Sequence, residues 1–130
     1  MSHAFGINNA PVPGVVGSAY TAARNPNAFY WSAAGGMINL GTLGGTSSSA
    51  YGVNDLSRVV GASTNSSGVQ RAFVYGSGGM WDLNAISNTG STWSLSMARD
   101  INNHGLIIAT GTYKVKTTLQ NRAVLLSPNP

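Results

Sequence analysis

Few side chains of this chain could perform acid–base or nucleophilic chemistry. The 130 residues include three aspartates and two histidines, with neither glutamate nor cysteine. Asp100 and His104 lie four residues apart across a predicted turn, and one of the many serines could complete a catalytic triad with them. The Gly-x-Ser-x-Gly sequence that presents the nucleophile in one large class of hydrolases is absent. The sequence therefore predicts a protein without catalytic activity.

A metal or cofactor site is not expected either. A zinc site needs three or four histidine, cysteine or carboxylate ligands, and His3 and His104 are far apart in the sequence. A calcium loop needs several closely spaced carboxylates, which Asp55, Asp82 and Asp100 do not provide. No glycine-rich segment continues into the Gly-Lys-Ser/Thr of a phosphate-binding loop. We expect no bound metal and no cofactor.

Aromatic side chains point to a different chemistry, the binding of carbohydrate. Flat aromatic rings in a background rich in Asn, Ser and Thr offer stacking surfaces together with neutral hydrogen-bonding groups. The candidate ligand-binding residues are Trp81, Trp93, Tyr113 and Asp100. Trp93 is the most informative of them, because it lies in a stretch that the internal repeat described below does not require. Trp81 has an alternative role in packing, since it replaces Ile38 of the repeat.

Charge is scarce, and its distribution excludes several partners. Only 8% of the residues are charged, and the formal net charge is +4. A nucleic-acid site needs basic residues clustered on one face, whereas here they are scattered, as Arg24, Arg58, Arg71, Arg99, Lys114, Lys116 and Arg122. No apolar run reaches the roughly 18 residues of a membrane span. We expect neither a nucleic-acid partner nor a membrane span.

An internal repeat predicts the secondary-structure elements that must position these residues. Ala-Phe-Tyr-Trp at 28–31 returns as Ala-Phe-Val-Tyr at 72–75 and, more weakly, as Ala-Val-Leu-Leu at 123–126. Gly-Gly-Met follows the first two copies. A further block reads Ala-Phe-Gly-Ile-Asn-Asn at 4–9, Ala-Tyr-Gly-Val-Asn-Asp at 50–55 and Ala-Arg-Asp-Ile-Asn-Asn at 98–103. The last block is Val-Val-Gly at 15–17, Val-Val-Gly at 59–61 and Ile-Ile-Ala at 107–109.

Each repeated block reads as a short strand, and the joints between blocks read as tight turns. The blocks are rich in β-branched and aromatic residues, and the joints are Gly-Gly, Asn-Asn or Asn-Asp. Asp55 and Asp82 occupy repeat positions that hold Asn elsewhere, which predicts turn or cap acceptors rather than general bases. Trp31 and Tyr75 share one repeat position, which predicts packing between units. The sequence predicts an all-β fold of about eleven short strands.

The repeat also predicts how the chain is organised. We expect a single repeat domain with a partial unit at 1–27, full units at 28–71 and 72–120, and a closing strand at 121–130. A four-stranded antiparallel unit of about 45 residues has the size of a β-propeller blade. One chain supplies about three such units, whereas propellers use about four to eight blades. Because repeat units cannot bury their faces alone, we expect self-association.

The repeated segments resemble the HAF repeat of bacterial extracellular repeat proteins. The matching residues are Ala-Phe-Tyr-Trp at 28–31, Met-Ile-Asn-Leu-Gly-Thr-Leu-Gly-Gly at 37–45, Ser-Ser-Ala at 48–50, Val-Asn at 53–54 and Val-Val-Gly-Ala-Ser at 59–63. The second unit departs from the pattern after Asp82-Leu83 and carries an inserted stretch at 88–93. The resemblance implies propeller-like repeats and an extracellular or cell-surface location. It supplies no catalytic residues.

Two functions from different classes follow from these observations. The first is an extracellular structural module that assembles with itself, as a homo-oligomer or a filament, through sheet edges and faces. The second is an oligomeric lectin-like protein that binds glycans through aromatic side chains. The first residues, Met-Ser-His-Ala-Phe-Gly, do not read as a signal peptide. The extracellular location is therefore an expectation from the resemblance alone.

Overall fold

The computed structural model describes residues 1–76, 78–88 and 90–128. Four positions of the predicted repeat units, 77, 89, 129 and 130, lie outside the described residues. The described chain is all-β and forms three antiparallel sheets of four, four and three strands. It contains eleven strands, as the repeat predicted.

The strands follow chain order within each sheet. Sheet 1 contains β1 (Ser2–Ile7), β2 (Gly14–Tyr20), β3 (Pro26–Ser32) and β4 (Gly36–Gly41). Sheet 2 contains β5 (Gly44–Val53), β6 (Val59–Asn65), β7 (Gln70–Gly76) and β8 (Gly79–Asp82). Sheet 3 contains β9 (Trp93–Ile101), β10 (Ile107–Val115) and β11 (Thr118–Leu126). Each predicted full unit, 28–71 or 72–120, therefore spans the end of one sheet and the start of the next.

The three sheets are stacked, and the first strand of each sheet lies against the preceding sheet. Strand β5 packs across β1, β2 and β3, and β9 packs across β5, β6 and β7. Sheet 2 is consequently covered on both faces. Val59 faces the apolar layer shared with sheet 1, Val60 faces the layer shared with sheet 3, and both are fully buried.

A β-bulge recurs in the first strand of every sheet. The register of β1, β5 and β9 against the neighbouring strand skips one residue, which is Phe5, Tyr51 or Arg99. A bulge resets the alternation of side chains, so Ala50 and Val53 both reach the same apolar layer although they are three residues apart. The first strand of each sheet therefore includes one residue, at the same repeat position, that strict alternation does not predict. Further register shifts occur at Leu40 of β4 and Ser96 of β9.

The segment where the second unit departs from the repeat, just before the inserted stretch at 88–93, forms a short helix that the sequence did not predict. Helix α1 (Leu83–Ile86) follows β8 directly, and the Asp82 carboxylate caps it by accepting from the Asn84 backbone N–H at 2.8 Å. The Asn84 side chain then binds the backbone N–H and carbonyl of Leu95, at 2.7 and 2.8 Å. Helix α1 thus joins the edge of sheet 2 to sheet 3. No helix in the described ranges has the length and apolarity to cross a membrane.

Candidate functional site: the outer faces of the sheet stack

One row of apolar side chains crosses each sheet at the same repeat positions. In sheet 2 the row is Val53, Val59, Tyr75 and Met80, which lie directly opposite one another on adjacent strands. All four residues pack in the layer between sheets 1 and 2. In sheet 3 the corresponding row is Ile101, Ile107 and Leu126, and it packs against sheet 2. In both sheets, this row is covered by the preceding sheet.

The same row in sheet 1 is open to solvent. It consists of Ile7, Val15, Trp31 and Met37, again paired across the four strands. Ile7 is 68% exposed, Met37 is 54% exposed and Trp31 is 40% exposed. Their sheet 2 counterparts Val53 and Val59 are 7% and 0% exposed. We call this row the start face. The prediction that Trp31 packs between units is wrong within one chain, whereas for Tyr75 it is confirmed.

The opposite end of the stack exposes the complementary row. In sheets 1 and 2 that row contains Val16 and Val60, both fully buried against the following sheet. In sheet 3 it consists of Asp100, Ile108 and Leu125, which are paired across β9, β10 and β11. Ile108 is 51% exposed and Leu125 is 65% exposed. We call this row the end face. Asp100, Ile108 and Leu125 line a shallow depression of about 160 Å³ there.

Stacked turns connect the sheets at one end of the strands. Each turn begins with an asparagine whose side-chain oxygen accepts backbone N–H groups of its own turn: Gly14 for Asn8, Leu56 and Arg58 for Asn54, and His104 and Leu106 for Asn102. The side-chain amide nitrogens of Asn8 and Asn54 donate to the following turn. Asn8 donates to the Asn54 carbonyl at 2.9 Å, and Asn54 donates to the Asn102 carbonyl at 3.1 Å. The repeated asparagine thus closes its own turn and binds the following one.

The neighbouring position forms a second set of bonds between turns. The Asp55 carboxylate accepts from the Asn9 backbone N–H at 2.8 Å, and the Asp55 backbone N–H donates to the Asn103 side chain at 2.8 Å. Asn103 also donates to the other Asp55 oxygen at 2.9 Å. Asp55 and Asp82 are therefore turn and cap acceptors, as the repeat predicted. The asparagine ladder donates in one direction only, from sheet 1 to sheet 3, whereas Asp55 and Asn103 donate to each other.

The structure brings together two of the four candidate ligand-binding residues. Trp93 and Tyr113 lie opposite one another on β9 and β10, with ring centroids 4.9 Å apart. Trp93 also packs against the apolar layer between sheets 2 and 3. Asp100 lies at the other end of β9, about 17 Å from Trp93, because their partners on β10 are five strand residues apart. Trp81 lies on β8, the edge strand of sheet 2, and is 53% exposed. The expectation that Trp81 packs is therefore wrong.

The carboxylates and histidines do not form a cluster. The Asp100 carboxylate accepts from the Ile101 backbone N–H at 2.9 Å, and His104 uses its backbone N–H to close the turn between β9 and β10. Both residues are exposed. Among the described residues, no group of three or more histidines and carboxylates could hold a metal ion. Two other features are unusual. The repeated asparagines, predicted only as turn residues, also bond to the following turn, and the apolar rows at the two ends of the stack, predicted to pack, are exposed.

A cleft of about 460 Å³ lies between sheets 2 and 3, beside α1. Its lining is mostly apolar and includes Val74, Leu83, Ile107 and Leu126, with the exposed Arg58 at its rim. Val74 occupies the repeat position of Tyr30, whose hydroxyl lies 3.1 Å from the Ser57 hydroxyl at the junction of sheets 1 and 2.

Comparisons with protein-family models, with curated proteins and with solved structures found no match to this chain.

Proposed function

We propose that this chain is a non-catalytic structural module that assembles with itself, its three sheets acting as propeller-like blades. The observation that carries the proposal is the start face, because its row is apolar across all four strands of sheet 1. The corresponding rows of sheets 2 and 3 are packed against a neighbouring sheet. A second copy of this chain is the partner that the repeat itself suggests for such a surface.

Two further features support self-association. Exposed apolar patches rimmed by polar residues mark interaction surfaces, and the start face has the polar Asn8 turn beyond Ile7 and the exposed Asn39 beyond Met37. The low charge of the chain also reduces the electrostatic repulsion between copies that meet closely. An extracellular or cell-surface location, implied by the HAF-repeat resemblance, belongs to the same proposal.

Charged substitutions on the start face test this proposal. In the double variant Ile7→Lys, Met37→Lys, each ammonium would be buried in the interface without a partner, so we expect the dissociation constant to rise at least about 100-fold. Both side chains are largely exposed within one chain, so the fold should tolerate them. Sedimentation velocity between about 1 and 200 μM measures the assembly, because one sheet face lies at the small end of stable interfaces.

Ile38→Lys is the matched control for that experiment. Ile38 is the neighbour of Met37 on β4, points to the opposite face of sheet 1 and is 46% exposed. We expect this variant to assemble like the wild type. A wild-type protein that sediments as a single chain of 13.4 kDa throughout the concentration range would contradict the proposal. Equal weakening by both sets of substitutions would contradict the assignment to the start face.

Carbohydrate binding is the second candidate, and the exposure of Trp81 favours it. An indole that is 53% exposed on an edge strand is available for stacking on a sugar ring. We expect Trp81→Ala to abolish retention on a glycan panel without lowering the melting temperature, whereas Trp93→Ala should lower the melting temperature because Trp93 packs against the core. If the wild type retains no glycan, or if Trp81→Ala retains it fully, this candidate is wrong.

A further inference from the structure

We propose that Asp100 acts as a steric stop on the end face, so that assembly through the start face ends at a pair of chains and does not grow into a filament. This inference rests on the proposed self-association and specifies its partner and geometry. The partner is a second copy of the chain, joined start face to start face. One repeat position is occupied by Gly6 in sheet 1, by Gly52 in sheet 2 and by Asp100 in sheet 3.

This position lies where one sheet approaches the next most closely. A Cβ atom added to Gly6 would lie 2.7 Å from the Tyr51 carbonyl oxygen in sheet 2. A Cβ atom added to Gly52 would lie 2.8 Å from both the Cα and the carboxylate Oδ1 of Asp100 in sheet 3. Both distances are shorter than non-bonded contacts allow. The Tyr51 carbonyl oxygen and the Asp100 Cα are backbone atoms, which cannot move aside as a flexible side chain can. Each junction within the chain therefore depends on glycine.

At the end face the same position has a side chain. Asp100 is exposed and lines the depression of the end face, while its Oδ1 turns back towards Gly52 and accepts from the Ile101 backbone N–H. The rest of the row would suit a further sheet, because Ile108 and Leu125 are apolar like the buried Val60 and the partly buried Val74 that they replace. Asn102 also occupies the repeat position of Asn8 and Asn54, whose side-chain amide nitrogens donate to the following turn. Asp100 is thus the residue that obstructs an otherwise suitable face.

This obstruction determines how two copies can meet. Packing the end face of one chain on the start face of another would place the Asp100 Cβ against the backbone near Gly6 of the second chain. Such head-to-tail contacts would also leave a free face at each end and generate filaments. Start faces carry no such obstruction, and a two-fold axis parallel to the strands would set the Ile7 end of one row against the Met37 end of the other. The product is a closed, isologous pair with six stacked sheets.

Three substitutions of Asp100 test whether its Cβ is the stop. In Asp100→Gly the end face becomes like Gly6 and Gly52, so we expect the average mass to rise with concentration without reaching a plateau. Asp100→Ala keeps the Cβ and removes the charge, and Asp100→Asn keeps the shape of the side chain. We expect both to remain pairs like the wild type, at twice the chain mass of 13.4 kDa. Sedimentation velocity and electron microscopy would measure the products.

The outcomes separate this inference from the proposed function. Filaments of the wild type, or Asp100→Gly remaining a pair, would overturn the stop while leaving self-association in place. Growth of Asp100→Ala to the same extent as Asp100→Gly would also overturn it, since the charge and not the Cβ would then be responsible. A monomeric wild type with a polymerising Asp100→Gly would support the stop and contradict the proposed function. Adding Ile7→Lys and Met37→Lys to Asp100→Gly should abolish growth, because head-to-tail contacts also use the start face.

Discussion

A single asparagine per turn performs two tasks in this protein. Its oxygen closes the turn between the first two strands of a sheet, and its nitrogen donates to the carbonyl of the equivalent residue one sheet later. Asn8 and Asn54 are buried, whereas Asn102, at the end of the ladder, is exposed. A residue that sequence reasoning assigned to turn formation therefore also sets the register between sheets.

Asn54→Asp separates the two tasks. The aspartate keeps an acceptor for the Leu56 and Arg58 backbone N–H groups, but it loses the donor to Asn102 and places a carboxylate oxygen near a carbonyl. We expect the free energy of unfolding to fall by about 1–3 kcal/mol, as for a buried polar group left without its partner. Urea denaturation at neutral pH would measure the change.

Asn102→Asp is the control, because Asn102 has the same turn bonds and no described turn beyond it to reach. We expect this variant to lose less stability than Asn54→Asp. Equal losses for the two variants would show that the bond between turns contributes nothing measurable to stability.

At the scale of elements, close contact between strands depends on glycines that lie within them. In β6, a Cβ atom added to Gly61 would lie 2.0 Å from the Ser49 carbonyl oxygen and 2.9 Å from the Phe73 ring. Gly61 stands beside the bulge of β5, which bends that strand towards β6. Gly17 has the same environment in sheet 1, with the His3 carbonyl oxygen 1.9 Å from an added Cβ. The bulge and the facing glycine therefore form one structural device in sheets 1 and 2, whereas in sheet 3 the buried Ala109 takes the position of that glycine.

Gly61→Ala should consequently prevent normal pairing of β5 with β6. Because the neighbour is backbone, we expect a loss of about 3–5 kcal/mol or failure to fold, comparable with severe overpacking of a core. Gly76→Ala is the matched control in the same sheet, since its added Cβ would meet only the flexible Arg58 side chain at 3.5 Å. Thermal unfolding followed by circular dichroism would compare them. Similar melting temperatures for the two variants would contradict the steric argument.

At the scale of the whole molecule, the stack is asymmetric at its two ends. In each internal layer, the row of one sheet that corresponds to the end face packs against the row of the next sheet that corresponds to the start face. A stack of any length therefore exposes one row of each kind. The start face exposes Ile7, Trp31 and Met37. The end face has Asp100 where the repeat has glycine, and the adjacent bulge position holds Arg99 where the other sheets have an aromatic residue. Polar terminal repeats limit growth in stacked repeat proteins. Here only one end has that protection.

The sequence by itself determined the strands, their number and their turn chemistry. Blocks of β-branched and aromatic residues separated by Gly-Gly and Asn-Asn joints are local sequence patterns. Such patterns predict strands and turns without knowledge of the tertiary structure. It also predicted that Asp55 and Asp82 are acceptors, because asparagine replaces them in other copies of the repeat. The bulges and α1 were missed, since a one-residue insertion in a strand and a four-residue helix leave no periodic pattern.

Only the tertiary structure decided which strands share a sheet and which faces are covered. A repeat has no natural starting point in the sequence, so the units at 28–71 and 72–120 did not reveal that each sheet begins with the Ala-x-Gly-x-Asn block or its counterpart. Trp31 and Tyr75 are equivalent in the sequence, yet one is exposed and the other is packed, because burial depends on whether a sheet lies in front of the row. The significance of Asp100 arises in the same way, from a position where the stacked sheets leave no space for a side chain.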